Sequence, residues 1–221
     1  NIAVWLKGAG YNTALIGKYL NGYPFGRGNN VPPGWDYWQA FNSNPNYYNY
    51  VLNQNGSLIN YGATDADYST DVLARSALTF IETASQPFFL YFAPYASHGP
   101  FTPATKYKNT DVGAMPVFPN FNEADVSDKP TWVKNLPLLN QTTMENNRRN
   151  QYRMLRSVDD AIKDIVATLV SKGVTDNTVI IYMTDNSYSH GEHRVEKKWC
   201  EYEECTRTPL LIRYPAGSAR Q

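Results

Sequence analysis

The chain has 221 residues, 42% hydrophobic and 18% charged, the make-up of a globular protein able to bury a core. Twenty basic residues balance twenty acidic ones, so no charge excess favours a polyanionic partner, and no nucleic-acid partner is expected. No apolar run approaches the roughly 18 residues a membrane-spanning helix needs, so no membrane span is expected.

Length alone allows one large α/β domain or two small ones. Asn1 is not an initiator Met, and the chain opens inside what reads as a helix over Ile2 to Lys7, closed near Gly8 or Gly10. The expectation is therefore a fragment, whose true N-terminus lies upstream. "TALIGK" reads as a short buried strand that delivers Lys18 into a loop. Residues 21–47, rich in Asn, Gly and Pro, read as an irregular surface excursion. "NYVLNQNGSLINYG" places two apolar runs around Asn55-Gly56, a strong hairpin signal.

"STDVLARSALTFIETA" starts with capping residues and sets Val72, Leu73, Ala77, Phe80 and Ile81 on one helical stripe. "PFFLYFAPY" reads as a central strand covered on both faces. Residues 101–141 hold several prolines and little periodicity, as long functional loops do. From Met144 to Lys172 the spacing of Tyr152, Leu155, Val158, Ile162, Ile165 and Leu169 predicts a helix ending near Gly173. "NTVIIYMTD" and "TPLLIRYP" read as two further strands. The alternation predicts an α/β fold with a mainly parallel central sheet flanked by helices.

In such sheets ligands gather beyond the carboxyl ends of the strands. Lys18, His98 and the pair Asp185/Asn186 all fall there. Asp185 and Asn186 offer hard oxygen ligands for Ca²⁺ or Mg²⁺, although Asp-Asn also fits a turn or helix cap. Lys18 and Lys198 could clamp a tetrahedral anion, and His98 could protonate a leaving group or hold an anionic oxygen. Each alone also fits an ordinary surface or structural residue; together they describe a pocket for a sulfate or phosphate ester. "HGEH" is not a zinc-protease pattern, so His190 and His193 read as loop residues rather than ligands. Cys200 and Cys205 could stay unpaired or form one local disulfide. Asn55-Gly56-Ser57 and Asn140-Gln141-Thr142 fit the N-glycosylation pattern.

Four stretches in order resemble the sulfatase family: "LKGAGYNTALIGKYL" (6–20), "APYASHGPFTPA" (93–104), "YMTDNSYSHGEHR" (182–194) and "KWCEYEECTRTPLLIRYPAG" (198–217). "GKYLNGYP" and "VPPGWDYWQAF…YYNYVLNQNG" resemble most the N-acetylglucosamine-6-sulfatase and arylsulfatase branch. The resemblance implies an alkaline-phosphatase-like fold, with residues 1–221 a partial catalytic domain incomplete at its N-terminus. It implies one Ca²⁺ held by Asp185 and Asn186, and sulfate contacts from Lys18 and Lys198. His98 would hold the sulfate or assist departure of the alcohol. The substrate would be a sulfated sugar or an aryl sulfate, and the compartment lysosomal or extracellular.

The family's nucleophile, a formylglycine made from a Cys or Ser in Cys/Ser-x-Pro/Ala-x-Arg, has no such motif in this sequence. It and the early Asp-Asp metal pair are expected upstream of Asn1, so this stretch by itself is expected to be inactive. Leu20 stands where many sulfatases have His, Ser187 replaces the usual Gly after Asp-Asn, and Ser97 replaces the Pro before His98. Thr206 and Thr208 interrupt a usually more apolar stretch. Two alternatives stay open: a phosphate-ester hydrolase of the same superfamily, against which the scarcity of additional Asp and His ligands argues, and a degenerate sulfatase retained for binding, to which Ser187 and Ser97 give weight.

Overall fold

A computed structural model describes residues 1–215, so Ala216 and Gly217, the last residues of the fourth family-like stretch, lie outside the described residues. The chain divides into two compact units: 1–110 with 151–174, and 111–150 with 175 onward.

The first unit opens with α1 (Ile2–Gly8), whose first turn is capped by the Asn1 side chain accepting from Val4 N at 3.1 Å. Strand β1 (Asn12–Gly17) follows, buried from Thr13 to Gly17 because neighbours cover it on both edges. Strand β2 (Tyr37–Phe41) pairs parallel to β1, and β5 (Phe88–Ala93) pairs parallel on its other side. The hairpin β3 (Tyr50–Gln54) and β4 (Ser57–Tyr61) turns at Asn55-Gly56 and extends the sheet antiparallel, giving the order β4-β3-β2-β1-β5. Asn55 and Gly56 both have positive φ there, as the tight turn demands.

The α/β class and the hairpin are as expected, but this sheet is mixed, with a parallel centre and an antiparallel side. Strand β2 corrects the reading of 21–47 as irregular throughout: Trp38, Gln39, Ala40 and Phe41 are buried in the sheet. Among the described residues, strand β5 lies at the edge of this sheet rather than centrally, and its Tyr91 is half exposed.

Helix α2 (Ser69–Thr83) buries Val72, Leu73, Ala77, Phe80 and Ile81, the expected stripe, against a core that includes Ile16, Leu52 and Tyr68. Its last carbonyls are capped from a distance, because Lys172 Nζ donates to the carbonyls of Ile81, Glu82 and Ala84. The long α4 (Gln141–Ser171) contributes its C-terminal part to this unit. The buried face runs through Met154, Ser157, Val158, Ala161 and Leu169. Tyr152 and Leu155 of the expected stripe are exposed, so the packed face is offset from them.

In the second unit the elements are α3 (Thr131–Lys134), the start of α4, β6 (Ile180–Met183), β7 (Ser189–His190), β8 (Glu196–Lys197), α5 (Glu203–Thr206) and β9 (Leu210–Arg213). β6 and β9 pair antiparallel with each other, and β7 pairs with β8. Both late strands therefore exist, but among the described residues they form their own ribbon and not part of the five-stranded sheet. Cys200 and Cys205 form a disulfide, which decides between the two readings of the cysteines. It closes the turn that leads from Lys198 into α5, with Cys205 at the helix's buried side. No helix among the described residues is long and apolar enough to cross a membrane.

Candidate active site

Lys18 and His98 leave the same end of the first unit's sheet, following the paired parallel strands β1 and β5. Gly17 stands opposite Ala93, and Lys18 N donates to Ala93 O at 2.7 Å, so the two strand ends are tied where the loops begin. The Lys18 ammonium is turned to Asn21 Oδ1 at 2.8 Å in a solvent-accessible position.

The loop after β5 is held by two tyrosines. Tyr47 is fully buried, and its hydroxyl donates to the carbonyls of His98 and Tyr95. Burial and the neighbouring rings push its own ionisation far upward, so it stays a neutral donor. Tyr95 is nearly buried and stacks on the His98 ring with centroids 4.8 Å apart. Its Oη lies 2.7 Å from His98 Nδ1. The His98 side chain itself is exposed.

In the second unit, Asp185 and Asn186 follow β6 in a turn held by Thr184 Oγ1 donating to Asn186 O at 2.6 Å. Ser187 N donates to Cys205 O at 3.3 Å, which fastens the same turn to α5. Lys198 Nζ donates to Asn186 Oδ1 at 3.2 Å, so two of the predicted site residues meet directly although 12 positions apart. Asp185 is exposed and makes no hydrogen bond or ion pair recorded among the described residues. An unengaged carboxylate beside an amide oxygen is a donor set that suits a hard cation such as Ca²⁺. No group of three or more His, Cys, Asp or Glu among the described residues is placed to hold a metal ion, so these residues would supply two ligands of a larger set.

His193 and His190 are structural in different ways. His193 stacks on Tyr202 at 4.3 Å, and its Nδ1 is 2.7 Å from Glu123 Oε2. Asn120 bridges its Nε2 to Glu204. These partners were not legible in the sequence, because Asn120 and Glu123 lie in an aperiodic stretch some 70 residues earlier. His190 lines a pocket with Met115, Phe118, Phe121 and Met144, and its Nδ1 finds no hydrogen-bond partner among the described residues. Burial first, and the Arg148 charge second, push its pKa from 6.5 down to about 4, against an opposing pull from Glu192.

The sign follows from linkage. Between pH 6.5 and about 4 the unfolded chain takes a proton that the folded imidazole refuses, so stability falls as pH drops through that window. His190→Leu is therefore expected to weaken the acid sensitivity of unfolding, by roughly 2 kcal/mol at pH 5 relative to neutral pH. Urea titrations at pH 7 and pH 5 measure it, and parallel losses in both proteins would refute it.

The architecture is α/β, with polar groups in the loops beyond the carboxyl ends of the paired parallel strands. A protein solved in complex with its substrate D-glucosamine-2-N,6-O-disulfate superposes with a TM-score of 0.76 at 22% identity, over 97% of this chain and 55% of that one. The sulfatase family profile matches residues 1–221, and the chain belongs to the sulfatase family. An arylsulfatase of Volvox carteri is 37% identical over 97% of the chain, which spans 37% of that protein's length. An N-acetylglucosamine-6-sulfatase of Capra hircus is 36% identical over 96% of the chain, which spans 40% of its length.

Proposed function

We propose that this chain is part of a calcium-dependent sulfatase that hydrolyses sulfate monoesters of sugars or aryl alcohols. The observation that carries the reading is the Lys198–Asn186 contact, which joins a predicted sulfate-binding cation to a predicted metal ligand inside a chain of the sulfatase family. Lys18 and Lys198 would bind the sulfate oxygens, and an ammonium placed there offsets charge that grows as the ester bond breaks. His98 would face the oxygen of the departing alcohol. Asp185 and Asn186 would hold a Ca²⁺, which supplies further charge neutralisation on the sulfate when bound. The nucleophile would be a formylglycine outside these residues. The names of the relatives favour an N-acetylglucosamine 6-sulfate or an aryl sulfate as substrate. The sequons at Asn55 and Asn140, both exposed, favour a glycosylated protein of the lysosome or the extracellular space.

The protein expressed from its complete gene should release sulfate from 4-nitrophenyl sulfate and from N-acetylglucosamine 6-sulfate, and lose that activity to a calcium chelator. Turnover of 4-nitrophenyl phosphate alone would replace this reading with a phosphate-ester hydrolase. Tight binding of the sulfated sugar with no turnover would identify a non-catalytic relative.

A further inference from the structure

The Lys198 ammonium reaches Asn186 from a stretch of chain that little else holds. Strand β8 ends at Lys197, where the backbone turns with φ of +78°, a left-handed conformation that a residue with a Cβ resists. Trp199, Cys200 and Glu201, which follow Lys198, make no hydrogen bond among the described residues. Regular structure resumes only at α5, where Cys205 is buried. The Cys200–Cys205 disulfide spans that gap and closes a ring of links within the second unit. Lys198 Nζ donates to Asn186 Oδ1 at 3.2 Å, and Ser187 N donates to Cys205 O at 3.3 Å. The sulfur bridge then joins Cys205 back to the chain just beyond Lys198. With its cysteines five positions apart, the bond removes less unfolded-chain freedom than a bridge across a long loop would. Its local effect is the larger one: it fixes the run that carries Lys198.

We infer that Cys200 and Cys205 are positioning residues, whose disulfide holds the Lys198 ammonium on the Asn186 amide oxygen and so keeps it in place for an oxyanion. A left-handed lysine such as Lys197 persists only where its surroundings over-determine it, and the disulfide is the covalent constraint downstream of it. Opening the bond frees residues 199–201, lets Lys197 relax, and carries the ammonium off Asn186. A long, flexible side chain must then be ordered again each time an anion binds, so the loss falls on affinity. The single turn of α5 keeps its own bonds to the carbonyls of Tyr202 and Glu203 in either state. The importance for sulfate binding rests on the sulfatase reading; the hold on Lys198 does not.

Acylation by acetic anhydride, read by peptide mass spectrometry on the protein expressed from its complete gene, reports how well each lysine ammonium is protected. Lys198 should label about fivefold faster or more in Cys200→Ala/Cys205→Ala than in the wild type, approaching its rate in Asn186→Ala, which removes the acceptor. The exposed Lys163 should label equally in all three. Inorganic sulfate is the binding probe, followed by calorimetry. Its affinity should fall about tenfold in the double cysteine variant and in Lys198→Met. Combining all three substitutions should cost no more than about twofold beyond Lys198→Met, because both changes remove the same contact. If the double variant does not fold, dithiothreitol opens the bond in folded wild type. Its two thiols pass two electrons and two protons to the sulfurs and close into a cyclic disulfide, and peptide mapping verifies the opening. The same labelling and titration then apply. Unchanged Lys198 labelling once the bond is open overturns the inference. Losses of sulfate affinity that multiply in the combined variant also overturn it, since they mark a merely structural bond. A wild type that binds no sulfate, or Lys198→Met that binds it as well as the wild type, strikes the proposed function instead, and the labelling alone then judges the hold on Lys198.

Discussion

Replacing Asp185 by Ala in the protein expressed from its complete gene is expected to lower sulfate-ester hydrolysis on the order of 10³-fold. Ca²⁺ affinity should fall at least about 100-fold. The carboxylate is exposed and makes no hydrogen bond among the described residues, so its removal should change unfolding stability by no more than about 0.5 kcal/mol. That separation matters, because lost activity then reports chemistry and not a damaged fold. Asp185→Asn keeps the oxygen and removes the charge, and should fall between the two. Calorimetric Ca²⁺ titration and sulfate release measured on one preparation decide the matter. Wild-type affinity and rate in Asp185→Ala would refute the proposed role of this residue as a metal ligand.

The second large effect is on stability. Gly17 has φ of +128°, and a Cβ added there would lie 1.9 Å from the Ala93 carbonyl oxygen and 2.4 Å from its carbon. Neither atom belongs to a flexible side chain; both belong to the backbone of β5, to which β1 is paired. Gly17→Ala must therefore either part the two strands or rotate the end of β1, and a loss of more than about 3 kcal/mol is expected. Gly26, also at positive φ (+71°) but with open space within 4 Å of where its Cβ would stand, is the control. Gly26→Ala should cost only about 1 kcal/mol, the backbone strain without the collision. Equal costs at the two positions, read from urea unfolding, would show that crowding against Ala93 does not govern the site. Because Lys18 is the next residue and its N–H bonds to that same carbonyl, the variant should also weaken sulfate binding.

Local rules carried much of the fold. The α2 stripe and the Asn55-Gly56 hairpin were legible because period and turn chemistry are properties of adjacent residues. The order of strands is not such a property. "PFFLYFAPY" has the apolar run of a central strand, yet among the described residues β5 ends at a sheet edge, since nothing in a run's composition states how many neighbours it will find. β2 was hidden because Pro33 and Gly34 sit just before "YWQAF", and punctuation of that kind outweighs five residues of β-prone sequence. In α4 the buried face includes Ser157 and Ala161, small residues that a search for large apolar side chains passes over in favour of Tyr152 and Leu155.

The candidate site divides in the same way. Lys18, His98, Asp185, Asn186 and Lys198 were legible through motifs, and the Lys198–Asn186 bond is a contact between two of them. Tyr95 was not. Tyrosine is abundant here, with 17 in the chain, and nothing distinguishes the one three residues before a histidine until the loop folds back on itself. Asn21, which engages the Lys18 ammonium, likewise looked like one more polar residue of a long excursion.

The bond between Cys200 and Cys205 has a temporal side as well. The cysteines are five positions apart, so their encounter depends on almost none of the remaining chain. Given an oxidant, that small ring can close while the nascent polypeptide is still being made, long before distant strands find one another. The bend carrying Lys198 would then enter assembly already shaped, as a prefabricated corner onto which the Asn186 turn later docks.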